Sequence, residues 1–203
     1  MKKIFAIAGK SGAGKDYYFQ ALRSMHPEFN YIRRVTTRPR RENEPEDTYF
    51  FVDNAEFFRL FFSTGSDQLI EVGTYRDWFY GTPKGQIIDQ TINIGIFDPN
   101  GIAQLIDEYG EDNVQIVYID CSTKHRLIRS LERVSAEKDI KEVIRRYQAD
   151  EKDFEEFFAE GYENILMIDN DGYMEDSVSC YLQTLVNIRS IVDLAQMWKK
   201  SLT

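Results

Sequence analysis

The sequence predicts an α/β protein in which a central parallel sheet is covered by helices on both faces. Three observations lead there. Short, continuous apolar runs at Ile4 to Ala8, Ile92 to Phe97, Val114 to Ile119 and Ile165 to Ile168 read as strands buried on both sides. Helical segments separate them, which is the rhythm of βαβ units. A glycine-rich loop joins the first run to the first helix. At 203 residues, 42% of them apolar, the chain suits one domain or one core with an insertion, on the usual ~100–200 residues per domain.

The elements follow in order. Residues from about 14 to 25 read as the helix behind the glycine loop. From Arg33 to about Gly85 the rhythm breaks into a loop-rich, Arg-rich and aromatic-rich stretch. Within it, Asp53 and Glu56 have the spacing of a capping box that opens a short helix carrying Phe57, Phe58, Phe61 and Phe62. Residues 33–85 are therefore expected to form a small insert supplying a substrate surface. Residues 124–160 are polar, strongly helical and hold Arg129, Arg133, Arg145 and Arg146. The core is left to 1–32, 86–123 and 161–203. Apolar residues at 178, 181, 182, 185, 188 and 192 describe an amphipathic C-terminal helix that docks on the sheet.

Composition narrows the function. Aromatic content of 14% and charged content of 29% exclude a disordered chain, a collagen-like repeat and a flexible linker. The net charge of −9 argues against a nucleic-acid or anionic-membrane binder, though not against a small anion in a local basic pocket. No run approaches the ~20 apolar residues that span a bilayer, and the first is too short for a secretion signal, so a cytoplasmic protein is expected. Cys121 and Cys180 form no CxxC and read as free thiols. His26 and His125 show no metal-ligand spacing.

Gly9-Lys10-Ser11-Gly12-Ala13-Gly14-Lys15 fits G-x-x-x-x-G-K between a strand and a helix, the context that motif requires. Glycines let the backbone wrap a phosphate so that successive N–H groups and the helix N-terminus face the anion. Lys15 then reaches the β- and γ-phosphates. Gly9 to Asp16 are accordingly expected to bind ATP. Residue 16 is Asp where a hydroxyl normally ligates Mg²⁺. Its carboxylate is a hard-oxygen ligand that either holds the metal directly or weakens nucleotide binding by its charge.

Arg33, Arg34, Arg38, Arg40 and Arg41 crowd a short stretch of an acidic chain, and guanidinium groups favour bidentate pairing with phosphate. Around them the order of motifs resembles the guanylate kinase family. Thr36-Thr37-Arg38-Pro39-Arg40-Arg41, Asp47-Thr48-Tyr49-Phe50-Phe51-Val52, Glu71, Phe79-Tyr80-Gly81-Thr82-Pro83-Lys84 and Phe97-Asp98-x-x-Gly101 look like that family's T-T-R-x-P-R, D-Y-x-F-V, Glu, Y-Y-G-[ST] and I-D-x-Q-G elements. The likeness runs from about residue 4 to 170.

The resemblance implies a P-loop three-layer fold with a small α+β monophosphate-binding insert and a helical lid. It implies phosphoryl transfer from MgATP to GMP, in a monomer or homodimer. Arg38 and Arg41 would clamp the GMP phosphate with Tyr49 and Tyr80, with Arg40 competing for the place of Arg41. Glu71 would accept from guanine N1–H and the 2-amino group, since a carboxylate accepts where that edge donates. Thr82 would touch the base, and Asp98 would organise Mg²⁺ or the acceptor. Lys15, Arg38, Arg129, Arg133 and Arg146 (or Arg145) would act on the transferring group, the lid excluding water.

The sequence departs from the family at Asp16, at Arg34 where a guanine-contacting Ser is usual, and at Ile96 where an acid is usual. Two other readings stay open: a kinase of another nucleoside monophosphate or small phosphorylated metabolite, and a non-catalytic guanylate-kinase-like binding module.

Overall fold

The computed structural model describes residues 2–41, 44–134, 137–171 and 177–202, without the side chains of 137–139 and 177–180. Its centre is a five-stranded parallel sheet. β1 (Lys3–Ala8) lies in the middle, flanked by β7 (Ile92–Ile96) and then the two-residue edge strand β2 (Asn30–Tyr31). On its other side lie β8 (Val114–Asp120) and β9 (Ile165–Asp169). All four pairings are parallel. The predicted runs are all strands, and β1 and β8 are fully buried at nearly every position.

The period-2 alternation of β1 divides the core. Phe5 and Ile7 face helices α1 (Lys15–Met25) and α6 (Ser177–Lys200), packing with Tyr18, Leu22, Ile188 and Ile191. Ile4, Ala6 and Ala8 face the opposite layer, where Ile102 and Leu105 of α3 (Pro99–Tyr109) meet Phe154 and Phe157 of α5 (Glu137–Ala159). The shorter α4 (Thr123–Glu132) connects β8 to α5. Among the described residues no helix is long and apolar enough to cross a membrane.

The C-terminal helix docks as expected, but along a shifted stripe. Tyr181 and Leu182 are more than half exposed, and burial begins at Thr184 and continues through Asn187, Ile188, Ile191, Val192 and Ala195. The side chains at 178 and 180 lie outside the described residues. The reason for the shift is polar: Asn187 Nδ2 donates to the buried Tyr18 hydroxyl (2.7 Å) and to the Asp169 carbonyl (2.8 Å). These bonds fix the helix rotation, which an apolar pattern alone misreads.

A second sheet lies within residues 33–85. Its order is β4 (Phe50–Phe51), β3 (Val35–Thr36), β6 (Trp78–Pro83) and β5 (Leu69–Tyr75), with β3–β4 parallel and the other pairs antiparallel. Helix α2 (Asn54–Phe61) packs Phe57 and Leu60 against Val35, Leu69 and Phe79. Half of the expected capping box forms: Asp53 accepts from the Glu56 N–H at 2.8 Å, while the Glu56 carboxylate turns to Arg59.

Asn187→Leu removes the side-chain donor to the Asp169 carbonyl and to the buried Tyr18 hydroxyl, which keeps its bond to Asn170 Oδ1 (3.4 Å), and is expected to lower unfolding stability by about 2 kcal/mol. Urea denaturation checks this, and a loss below about 0.5 kcal/mol contradicts the assignment.

Candidate active site

The carboxyl ends of β1, β7, β8 and β9 converge on one edge of the central sheet, and β1 is where the strand order reverses. Ligands of open α/β sheets bind at such a switch point. The loop after β1 takes left-handed backbone at Gly12 (φ 82°) and Gly14 (φ 103°). A Cβ at Gly12 would lie 2.5 Å from the Arg126 carbonyl of α4, and one at Gly14 would lie 2.5 Å from Asn170 Nδ2. The loop is therefore clasped from two sides, and Asn170 also donates to the Ala13 carbonyl at 2.7 Å.

Lys15 begins α1, and its ammonium bonds the carbonyls of Gly9 (2.5 Å) and Lys10 (3.2 Å). Burial pushes its pKa down, and the Asp16 and Asp150 carboxylates oppose that shift. The Ser11 N–H donates to Asp150 Oδ2 at 2.5 Å, and Lys10 pairs with Glu151 at 2.5 Å. Arg126, 3% exposed, also reaches Glu151 at 2.7 Å. Two carboxylates of α5 thus stand against the glycine loop.

A cavity of about 1080 Å³ opens from this loop toward the second sheet. Gly9, Ser11 and Lys15 line one end, and Arg34, Arg41, Tyr49 and Tyr80 line the other. Arg145 and Arg146 of α5 complete the wall, with Asp98 at the end of the β7 connection. Asp98 Oδ1 caps α3 by accepting from the Gly101 N–H at 2.8 Å. Tyr49 and Tyr80 meet edge to face at 6.0 Å.

The structure distributes the arginines unequally. Arg41 lines the cavity, whereas Arg40 pairs outside it with Glu46 at 2.8 Å. Arg38 is 5% exposed, pairs with Glu44 at 2.6 Å and lies behind the wall over the rings of Tyr49 and Phe51. Arg33 donates to the Tyr49 carbonyl at 2.7 Å and pins that segment. Arg129 packs at the strand ends, donating to Cys121 Sγ and the Asn170 carbonyl. Arg133 is exposed at the end of α4. Neither Arg129 nor Arg133 is among the residues lining the cavity.

Glu71 and Thr82 are fully buried. Thr82 Oγ1 donates to Glu71 at 3.0 Å, and Arg34 pairs with the other carboxylate oxygen. Burial pushes the Glu71 carboxyl up, and Arg34 pulls it back down.

A latch crosses from α5 to the turn between β5 and β6. Glu142 accepts from the Tyr75 hydroxyl, Arg76 (2.7 Å), Arg145 (2.9 Å) and Arg146 (3.0 Å). The sequence points to the arginines but not to Glu142, the partner of Arg145 and Arg146, nor to Asp150 and Glu151, which meet Ser11, Lys10 and Arg126; all three read as ordinary acids of a solvated helix. Nor does it show that Cys121, His125 and Asp171 bring their polar atoms within 4.8 Å of one another. The Arg129 guanidinium lies 3.3 Å from that thiol, which disfavours a cation there.

Comparison with known proteins places these features. A family model described as guanylate kinase matches residues 1–186. The guanylate kinase of Synechococcus sp. (strain JA-3-3Ab) is 37% identical over 94 residues, 46% of this chain and 42% of that protein. That of Mycoplasma pneumoniae is 34% identical over 133 residues, 63% and 54% of the two chains. The matched stretches thus span about half the length of these relatives. A crystal structure of guanylate kinase from Anaplasma phagocytophilum superposes with a TM-score of 0.56 at 17% identity, covering 98% of this chain and 87% of that one; it bears out the α/β fold.

Arg145 first, then Arg76, Tyr75 and Arg146, hold the Glu142 carboxyl far below its ordinary value of 4.5. A depressed carboxylate contributes stability above its unfolded pKa and loses it as pH falls. Glu142→Gln is therefore expected to cost about 1 kcal/mol at neutral pH, allowing for the exposure of the arginines. The melting difference from wild type shrinks steadily below about pH 4.5; a difference that grows in acid contradicts the latch.

Proposed function

This chain belongs to the guanylate kinase family, and on that premise we propose that it transfers the γ-phosphoryl group of ATP to GMP, giving ADP and GDP. The observation that carries the reading is the shared cavity. The phosphate loop with Lys15 and the acceptor-side group of Arg41, Tyr49 and Tyr80 line one space, and Arg145 and Arg146 of α5 line it too. Phosphoryl transfer asks little covalent chemistry of a protein, so aligning two phosphates and stabilising their charge is the main task.

In this reading residues 33–85 are the acceptor insert and 124–160 the lid. The loop N–H groups and Lys15 hold the donor phosphates once Asp150 has withdrawn from Ser11. Arg41 and the two tyrosines hold the acceptor phosphate. Arg38 supports Tyr49 from behind and reaches the phosphate only by leaving Glu44. Arg129 and Arg133 reach the reacting group only through movement of α4. Asp16, exposed on the first turn of α1, is close enough to Lys15 and Tyr49 for its charge to act on both. A hard carboxylate there fits Mg²⁺. Bound by Asp16, Mg²⁺ would offset charge on the β- and γ-phosphates. Closure of the Glu142 latch excludes water and limits wasted hydrolysis. The cytoplasm, where both nucleotides are available, is the expected setting.

An ADP-release assay with MgATP and GMP tests this. Wild type is expected to turn over, and Lys15→Ala to lower kcat by about 10²–10³-fold with an unchanged circular dichroism spectrum. GMP-dependent release that survives Lys15→Ala, or is missing from wild type, contradicts the assignment.

A further inference from the structure

The expected base reader, Glu71, does not face the cavity. Its side chain is 0% exposed. Arg34 covers one oxygen, Thr82 donates to the other, and a Cβ at Gly101 would come within 3.0 Å of Oε1. Arg34 is what the cavity meets: it is among the lining residues, 11% exposed, and lies over the rings of Phe97 (5.5 Å) and Tyr80 (5.8 Å). Its Nε is buried with no hydrogen-bond partner among the described residues. The base end of the cavity therefore offers donors from a guanidinium held in place by a carboxylate and two rings.

We propose that Arg34 is the specificity-determining residue for the acceptor base, and that it takes the O6/N7 edge of a 6-oxopurine. Glu71 is then a positioning residue acting through Arg34. This rests on the reading of the chain as a nucleoside monophosphate kinase and changes which part of the base is recognised. A guanidinium only donates, and its planar fork matches the two adjacent acceptors O6 and N7. Adenine presents an amino donor at the same place and is opposed. Glu71 facing the base would require N1–H and the 2-amino group, whereas Arg34 makes the 2-amino group dispensable. The acceptor class is thus a 6-oxopurine monophosphate, with GMP and IMP both accepted.

The test compares kcat/KM for GMP, IMP, 2-aminopurine riboside monophosphate and AMP, in wild type and Arg34→Ser. IMP has the 6-oxo group without the 2-amino group, and the 2-aminopurine analogue has the reverse. For wild type, IMP is expected within about tenfold of GMP, and the analogue and AMP at least about 100-fold below it. Arg34→Ser uncovers Glu71, and the GMP-to-IMP ratio is expected to rise at least about tenfold. Each is a ratio on one preparation, so partial misfolding does not mimic it. Wild-type IMP use more than about tenfold below GMP, or efficient use of the 2-aminopurine analogue, overturns the proposal. GMP turnover is the control for the kinase reading. If no acceptor is phosphorylated, that reading fails, and calorimetric GMP and IMP affinities apply the same tenfold limit to base recognition.

Discussion

A cavity that gathers cations needs carboxylates of its own to balance them. This chain carries a net charge of −9, yet Lys15, Arg34, Arg41, Arg145 and Arg146 share one cavity wall. A buried unpaired charge is costly. The structure meets that constraint with carboxylates: Glu71 on Arg34, Glu44 on Arg38, Glu142 on Arg145 and Arg146, and Glu151 on Lys10 and Arg126. Asp150 accepts from the Ser11 N–H, the group that on the proposed reading would meet a phosphate oxygen.

These internal partners tie binding to conformation. Asp150 and Glu151 belong to α5, so on the proposed reading a phosphate that displaced them would break that helix's polar ties to the loop, while Phe154 and Phe157 keep it in the core. Glu142 lies on the same helix and holds the turn after β5 through Tyr75 and Arg76. The glycine loop, the second sheet and α5 are thereby connected by ion pairs and hydrogen bonds. Glu71 differs from the others in being sealed away from solvent, so its task is to fix one guanidinium in one place.

The parts of the fold legible in the sequence were those set by local pattern. The strands of the central sheet announced themselves as short apolar runs, and the glycine loop carried its own context. The C-terminal helix was legible as a helix but not in rotation, because Asn187 bonds partners far away in the chain. In the site, residue types were readable and partners were not. Nothing local separates Arg40 from Arg41; the fold puts one outside and one on the cavity wall. Arg34 was visible as a departure from the family pattern, while its closure over Glu71 depends on the pairing of β3, β5 and β6. Asp150 and Glu142 gave no signal, since an acid on a polar helix looks the same whether it faces water or an arginine.

The claim on which the rest depends is that donor and acceptor phosphates occupy one continuous cavity. Calorimetric titration with adenosine and guanosine joined through a five-phosphate bridge measures this directly. A shared cavity predicts one molecule bound per chain, at least about 100-fold more tightly than ATP or GMP alone. An affinity no better than that of ATP, or two molecules bound per chain, would mean that the loop and the acceptor wall serve separate sites.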